Sequence, residues 1–182
     1  MKFSRIGIVA DKHEDAQLAY KRLQEQYPEL VPLKTSQKVR DIDAIIALGG
    51  DGFMLHTLHD TMRTGIPVYG MNRGTVGFLM NEYKENDLLK RLKKARITTI
   101  HPLRMVARKE DNEIYEALAI NEVSLLRKTG QAAKIRMSID GTVHMKEMVC
   151  DGVLVATPAG SSAYNFSVGG HERPVCGTEI QG

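Results

Sequence analysis

The sequence predicts an α/β N-terminal domain with a parallel sheet, followed by a β-rich C-terminal domain with an antiparallel, sandwich-like arrangement. Two observations support this division. In the first half, short apolar runs alternate with stretches whose apolar residues recur at helical spacing. From about Ile97 onward, apolar and polar residues alternate with a period of two, which is typical of half-buried strands. We therefore predict an α/β domain over residues 1–97 and a β-rich domain, expected to be incomplete, over residues 98–182.

Each predicted strand in the first half is followed by a predicted helix. The strands are the apolar runs at residues 6–10, 42–48 and 66–71. Three sets of apolar residues indicate the helices: Ala16, Ala19, Leu23 and Tyr27; Met54, Leu55, Leu58 and Met62; Leu88, Leu89, Leu92 and Ala95. Asp11 or Asp15 is available as the N-cap of the first helix. Strands separated by helices are joined by crossovers, so we expect them to be parallel.

The second half reads as a series of antiparallel strands. Ile135, Met137 and Ile139 alternate with polar residues, and Asp140-Gly141 then predicts a hairpin turn. Residues 116–126 and 152–156 predict further strands. Residues 168–182 are atypical of a closing β layer. They indicate either a frayed terminus or a chain that is truncated or altered after about residue 168.

The composition is that of an ordinary globular protein, with 42% apolar residues, 26% charged residues and a net charge of +3. The basic stretch at residues 90–94 alternates with leucine and lacks aromatic residues for stacking, which favours a solvated helix face over a nucleic-acid site. No apolar run approaches the ~18 residues of a membrane span. We therefore expect neither a nucleic-acid nor a membrane partner.

Cysteine and histidine usage gives no metal or disulfide framework. Cys150 and Cys176 lack metal-type spacing, and the N-terminus lacks the features of a signal peptide, so the expected location is a reducing cytoplasm. His56 and His59 share a helix face, but no third ligand is evident. A surface or core role for both is favoured over a metal site.

A glycine turn is the most informative motif. Gly49, Gly50 and Gly52 surround Asp51 at the end of an apolar run. Such a turn between a strand and a helix directs backbone N–H groups toward an anion. A carboxylate there repels a phosphate, and its presence favours a role in accepting a proton from a hydroxyl or in holding a metal. The alternative is that Asp51 only caps the next helix.

A second turn, at residues 72–78, follows the third predicted strand. Ligands bind beyond the carboxyl ends of parallel strands, so we expect both turns at one edge of the sheet. Arg73 is expected to be an exposed loop residue, with contact to a phosphate as the alternative.

Polar side chains interrupt two apolar runs in the second half. Asn121 and Glu122 interrupt residues 117–125, and an amide beside a carboxylate suits an adenine or a ribose. A bulge or strand end in solvent is the alternative. Asp151 precedes the strand at 152–156, and a loop rich in hydroxyls follows that strand. This loop suits a nucleotide contact, or it is simply flexible.

Together and in order, these motifs resemble those of the NAD kinase family: Gly-Gly-Asp-Gly at 49–52, Gly-Thr-Val-Gly-Phe at 74–78, Asn-Glu at 121–122, Asp-Gly at 151–152 and Thr-Pro-Ala-Gly-Ser-Ser-Ala-Tyr at 157–164. The first motif alone is weakly specific, because diacylglycerol-type lipid kinases and phosphofructokinases have similar turns. The ordered set, across residues 5–167, is highly specific.

The resemblance implies phosphorylation of the 2′-hydroxyl of the adenosine ribose of NAD, giving NADP. ATP or polyphosphate would be the donor, with Mg²⁺ as the divalent cation, whose protein ligands stay unassigned. It also implies a β-rich domain that binds NAD, a homodimer or homotetramer, and an active site between the two domains.

Residue by residue, the resemblance implies that Asp51 is the catalytic base for that hydroxyl. The other implied contacts are Gly49, Gly50 and Gly52 in the phosphate turn, Phe78 beside the adenine, Asn121 and Glu122 on ribose hydroxyls, Asp151 at the nicotinamide end, and Ser162, Ala163, Tyr164, Asn165 and Ser167 along the dinucleotide pocket.

The chain departs from the family pattern in three places. Phe53 replaces the usual threonine after the glycine turn, Ser162 replaces a common threonine, and the match stops at Gly169-Gly170. Two alternative functions stay open: a diacylglycerol-type lipid kinase, and a non-catalytic, truncated protein that binds a dinucleotide.

Overall fold

The computed structural model describes residues 3–33, 41–75 and 77–173. The chain divides into two compact units, Met1–Thr98 and Thr99–Gly182. Val76 of the second predicted turn, Cys176, and residues 174–182 of the atypical C-terminal stretch lie outside the described residues.

The first unit contains a parallel sheet, as the sequence predicts, and its helices pack on both faces of that sheet. Its strands lie in the order β2-β1-β3-β4, and every neighbouring pair is parallel. The elements in chain order are β1 (Ile6–Ala10), α1 (Glu14–Gln26), β2 (Val31–Pro32), β3 (Ala44–Gly49), α2 (Asp51–Thr61), β4 (Val68–Asn72) and α3 (Leu88–Lys94).

The central strand β3 is buried along its whole length, which explains its continuous apolar sequence. Its alternate residues supply two separate cores. Ile46 and Leu48 pack in the cluster that includes buried residues of α1 and α3, whereas Ile45 and Ala47 pack in the cluster that includes Met54 of α2. Helices on both faces therefore hold the carboxyl end of β3 at a fixed position.

The predicted helix cap is wrong. The N-cap of α1 is His13, and neither Asp11 nor Asp15 caps it through a side-chain hydrogen bond. Glu14 and Asp15 instead lie in the first turn, where carboxylates interact favourably with the helix dipole. The strand β2 was not predicted, because a strand of two residues is too short to show an alternation of apolar and polar side chains.

In the second unit, the described residues contain antiparallel strands paired in three ladders, β5–β6, β7–β10 and β8–β9. The elements are β5 (Leu103–Arg108), β6 (Ile114–Ala119), β7 (Glu122–Leu126), β8 (Ala133–Ile139), β9 (Thr142–Cys150), β10 (Gly152–Ala156) and α4 (Tyr164–Ser167). The antiparallel, β-rich character is confirmed, and sandwich-like packing stays a prediction.

Two features of this unit bear directly on the sequence predictions. The hairpin at Asp140-Gly141 is confirmed, with φ of 50° and 79° at the two turn residues. The single strand predicted over 116–126 is instead two strands, β6 and β7, that separate at Ile120 and Asn121.

Much of the apolar surface of this unit is exposed. Leu126 and Val149 are both more than half exposed. Within the part of the unit that the structure describes, Ala159 is the only apolar side chain in the buried class. In neither unit do the described residues include a helix long and apolar enough to cross a bilayer.

Candidate functional site

The glycine turn joins β3 to α2, as predicted. Gly49 is the last residue of β3, Gly50 is the N-cap of α2, and Asp51 is the first residue of that helix. Gly50 has no side chain with which to cap the helix, and Asp51 lies inside the helix rather than at its cap position. The alternative that Asp51 serves as the helix cap is therefore wrong.

The carboxylate of Asp51 accepts two backbone hydrogen bonds from the second turn. The N–H of Phe78 donates to Oδ2 at 2.8 Å, and the N–H of Leu79 donates to Oδ1 at 3.1 Å. Two donors for one side chain limit its rotation and fix its carboxylate at the edge of the sheet. Each carboxylate oxygen keeps a further lone pair, so the group can still accept a hydrogen bond from a hydroxyl.

The second turn lies against the first. The N–H of Arg73 donates to the carbonyl of Gly49 at 2.8 Å. The side chain of Asn72 closes the turn, because its Nδ2 donates to the Thr75 carbonyl and its Oδ1 accepts from the Gly74 N–H, both at 2.9 Å. The prediction that both turns share one sheet edge is confirmed.

Arg73 is held by the first unit itself. Its guanidinium lies 4.6 Å from the centre of the Tyr83 ring, its Nε donates to the Asp15 carbonyl, and its Nη2 lies 3.8 Å from the Asp15 carboxylate. Burial and a hydrogen bond to Glu85 raise the pKa of Tyr83 to about 12. Arg73 is thus only partly exposed and orders the second turn, whereas contact with a phosphate stays untested.

Asn121 and Glu122 lie where β6 ends and β7 begins. Oδ1 of Asn121 and Oε2 of Glu122 are both buried, and neither has a hydrogen-bond partner among the described residues. Neither residue is a solvent-exposed strand end, because both are half-buried. A buried acceptor without a donor carries a free-energy cost, so these two neighbouring acceptors suit a ligand that donates hydrogen bonds.

The loop after β10 packs directly on this pair. The N–H of Thr157 donates to the Asn121 carbonyl at 2.8 Å, and its hydroxyl donates to the Ile120 carbonyl. A Cβ on Gly160 would overlap the backbone of Asn121, with only 2.5 Å to its Cα. The loop therefore sets the position of Asn121 and Glu122, and only glycine fits at 160.

The remaining predicted residues of the loop differ in their surroundings. Asn165 donates through Nδ2 to the carbonyls of Ser161 and His171, both at 3.1 Å, so it has a structural role here. Ser162 and Ala163 are half-buried, whereas Tyr164 and Ser167 are exposed. In the first unit, Phe78 is also exposed, and Gly52 is the exposed glycine of the turn.

Asp151 forms an ion pair rather than standing free. Its Oδ1 lies 2.6 Å from Nε of Arg127, and its backbone carbonyl accepts from the Arg127 N–H. Its side chain is 75% exposed, so solvent weakens this ion pair. The predicted contact of Asp151 with a nicotinamide stays untested.

Metal-binding side chains do not cluster in the described residues. His56 and His59 are exposed, and no group of three His, Cys, Asp or Glu side chains in those residues could hold an ion. Phe53, the departure from threonine, packs its side chain beneath Gly49 and belongs to the core on the α2 side.

The structure gives contacts to four residues that had no individual role in the sequence predictions, although all but Leu79 lie in the predicted motifs. Gly77 and Leu79 contribute to the Asp51 contact, and Thr157 and Gly160 position the Asn121-Glu122 pair. Gly77 could have been singled out in the sequence because it is the second glycine of the turn at 74–78. Leu79 acts through its backbone N–H and has no signal in the sequence.

Comparison with known proteins matches both units to one family. Residues 7–96 match the family model described as the ATP-NAD kinase N-terminal domain, and residues 120–175 match that of the ATP-NAD kinase C-terminal domain. The NAD kinase of Caulobacter vibrioides is 51% identical over 174 residues, which cover 96% of this chain and 64% of the relative. That of Brucella suis biovar 1 is 52% identical over 170 residues, covering 93% and 63%.

Solved structures show the same fold. Yeast NADH kinase, complexed with NADH, superposes with a TM-score of 0.77 at 22% identity, covering 94% of this chain and 62% of that one. An NAD kinase from Archaeoglobus fulgidus, in complex with ATP, superposes with a TM-score of 0.69 at 28% identity, covering 95% and 67%. The chain spans slightly less than two thirds of the length of the curated relatives that it matches.

Proposed function

This chain belongs to the NAD kinase family, and we propose that it phosphorylates the 2′-hydroxyl of the adenosine ribose of NAD to give NADP. The donor is ATP or inorganic polyphosphate. The observation that best supports this function is the Asp51 carboxylate, fixed at the carboxyl edge of the sheet by two backbone N–H groups.

In the proposed reaction, Asp51 accepts the proton of the 2′-hydroxyl. The oxygen forms a bond to the terminal phosphorus of the donor, and the bond from that phosphorus to the bridging oxygen breaks. ADP or a shortened polyphosphate leaves. Because phosphoryl transfer depends mainly on position and on charge stabilisation, a fixed base beside a turn of backbone N–H groups suits it. Gly49, Gly50 and Gly52 form that turn.

The β-rich unit binds NAD in this proposal. Oδ1 of Asn121 and Oε2 of Glu122 accept hydrogen bonds from ribose hydroxyls, which satisfies two buried acceptors that have no partner among the residues the structure describes. The remaining predicted NAD contacts are Phe78 in the first unit and, in the second, Asp151, Ser162, Ala163, Tyr164, Asn165 and Ser167. A homodimer or homotetramer in the cytoplasm is part of the same proposal.

In this proposal, Mg²⁺ binds together with the phosphates of the donor. Mg²⁺ is commonly held by one or two carboxylates together with substrate phosphates, rather than by a protein cage. The described residues offer no group of three ligands, so they do not by themselves suit a caged ion. We therefore assign no step to a protein-held magnesium.

The test is NADP formation by the purified chain. The chain is incubated with NAD, Mg²⁺ and either ATP or polyphosphate, and an NADP-specific dehydrogenase detects the product. Reactions without a donor, and with diacylglycerol in place of NAD, are the controls. Product that requires NAD and a donor supports the proposal, and phosphorylated diacylglycerol would favour the lipid kinase instead.

Binding without turnover is the second candidate, because the two unpartnered acceptors would bind a dinucleotide whether or not chemistry follows. Calorimetry with NAD separates the two functions. Heat of NAD binding together with no NADP in any donor mixture would favour a binding protein.

A further inference from the structure

The approach of Asp51 to the second turn depends on a missing side chain. A Cβ added to Gly77 would overlap Oδ1 of Asp51 and would lie 2.8 Å from its Cγ. Real Cβ atoms do not approach other atoms this closely, so no residue larger than glycine allows the observed contact. The space beside the Asp51 carboxylate therefore requires glycine at position 77.

The contact that Gly77 permits is the one that holds the carboxylate. Phe78 and Leu79, the next two residues, donate the two N–H groups that Asp51 accepts. The turn is itself anchored to the sheet edge through Arg73, whose N–H donates to the carbonyl of Gly49. Gly77 thus lies in an anchored turn, and the two N–H groups that follow it bind the Asp51 carboxylate.

We propose that Gly77 is a positioning residue for Asp51: its bare backbone lets the carboxylate enter the turn and stay aligned for proton transfer. The proposal rests on the proposed function, because it assumes that Asp51 is the base. The atom that an added methyl group would meet is the far end of a short side chain, which can rotate away. A substitution at 77 therefore displaces the base and leaves the fold intact.

The first test is a double-mutant cycle on turnover. Gly77→Ala should lower kcat for NADP formation by about 30- to 100-fold, because small misplacement of a catalytic group has effects of this size, and should change KM for NAD by less than about threefold. In an Asp51→Asn background, the same change should alter the residual kcat by less than about twofold. Equal losses in both backgrounds would overturn the proposal, since they would indicate damage that does not act through Asp51.

Gly130→Ala is the matched control. It also adds one methyl group to a loop glycine, but that group would meet nothing within 4 Å. Its kcat and KM should equal those of the unmodified chain. A loss of kcat in Gly130→Ala as large as that in Gly77→Ala would contradict a specific role for position 77.

The second test does not need activity. The chain has no tryptophan, so circular dichroism follows thermal unfolding of the unmodified chain, Gly77→Ala, Asp51→Ala and the double variant. Gly77→Ala alone should lower Tm by about 3–6 °C, through the lost hydrogen bonds, and by less than about 2 °C in the Asp51→Ala background, where the overlapping carboxylate is gone.

The two tests separate the two claims. Coupled Tm values without any NADP from the unmodified chain would contradict the proposed function and leave the steric relation standing. The opposite result is also informative. If the unmodified chain forms NADP, the Tm changes are additive and Gly77→Ala keeps its kcat, then the role of Gly77 is overturned and the proposed function stands.

Discussion

The hydroxyl of Thr157 lies 2.5 Å from the carbonyl oxygen of Ile120, to which it donates, and it accepts the N–H of Gly160 at 3.0 Å. Thr157 is only 4% exposed, so both hydrogen bonds are shielded from water. One side chain thereby ties the loop after β10 to the residue that precedes Asn121, across 37 positions of sequence.

Thr157→Val should loosen this tie. The substitution keeps the shape but removes the hydroxyl, which leaves a buried carbonyl and a buried N–H without that partner and costs about 2 kcal/mol of stability. Because Asn121 and Glu122 move with the loop, Kd for NAD should rise about tenfold by calorimetry. Thr157→Ser keeps the hydroxyl and is the control. Unchanged affinity and stability in Thr157→Val would contradict the role of this hydroxyl.

Gly160→Ala should be more damaging than Thr157→Val. The added methyl group would overlap backbone atoms of Asn121, which cannot rotate away as a side chain does. The loop or the start of β7 must shift, so we expect a loss of at least about 2 kcal/mol, measured by urea unfolding, together with weakened NAD binding. Gly130→Ala again supplies the control. An alanine at 160 with unchanged stability and affinity would show that the loop packs differently.

Acid should lower the stability of the fold through protonation of Asp43, which binds the residues just before the first strand. Its Oδ2 accepts the N–H groups of Arg5 and Ser4, at 2.9 and 2.6 Å, and these hydrogen bonds, that of Arg5 first, lower its pKa below the ordinary 3.8. A lowered folded-state pKa gives stability that is present above the unfolded pKa and is lost as pH falls through the folded pKa. Asp43→Asn should therefore have a lower Tm than the unmodified chain at pH 7, and the gap should narrow below about pH 3.8. A gap independent of pH would contradict this account.

High pH should lower the stability of the fold through ionisation of Tyr83. Its folded-state pKa is raised from 10.0 to about 12, first by burial and then by the hydrogen bond to Glu85. A raised folded-state pKa gives stability that is present below pH 10 and is lost as pH rises through about 12. The Tm difference between the unmodified chain and Tyr83→Phe should hold below pH 10 and shrink between pH 10 and 12. Phenylalanine keeps the ring under Arg73, so the Tm difference isolates the hydroxyl. A difference that stays the same from pH 10 to 12 would contradict the role of its ionisation.

The sequence predicted the first unit well because its strands are buried on both faces. A strand such as β3 then reads as a continuous apolar run, and a glycine turn follows it at the sheet edge where ligands bind. Strand ends were less accurate: β3 begins at Ala44 instead of Ile42, and β4 ends at Asn72 instead of Met71. Pairing with a neighbouring strand, which local composition does not encode, decides such ends.

The sequence could not predict contacts between distant segments. Residues 116–126 look like one strand locally, but Thr157 binds the carbonyls of Ile120 and Asn121 and so separates β6 from β7. The Asp51 contact likewise joins residues 27 and 28 positions apart, through backbone N–H groups that any residue type would supply. The strand β5, over Leu103–Arg108, does show a period of two in its burial, yet it was not predicted.

The most direct measurement is turnover by Asp51→Asn in the coupled NADP assay, with NAD binding followed by calorimetry. The amide keeps the size of the side chain but is not a base, so NADP formation should fall by at least about 100-fold while Kd for NAD changes by less than about threefold. Asp60→Asn, which alters an exposed carboxylate on the same helix, should behave as the unmodified chain. If Asp51→Asn forms NADP at an undiminished rate, the carboxylate held by Phe78 and Leu79 is not the base, and the account is contradicted.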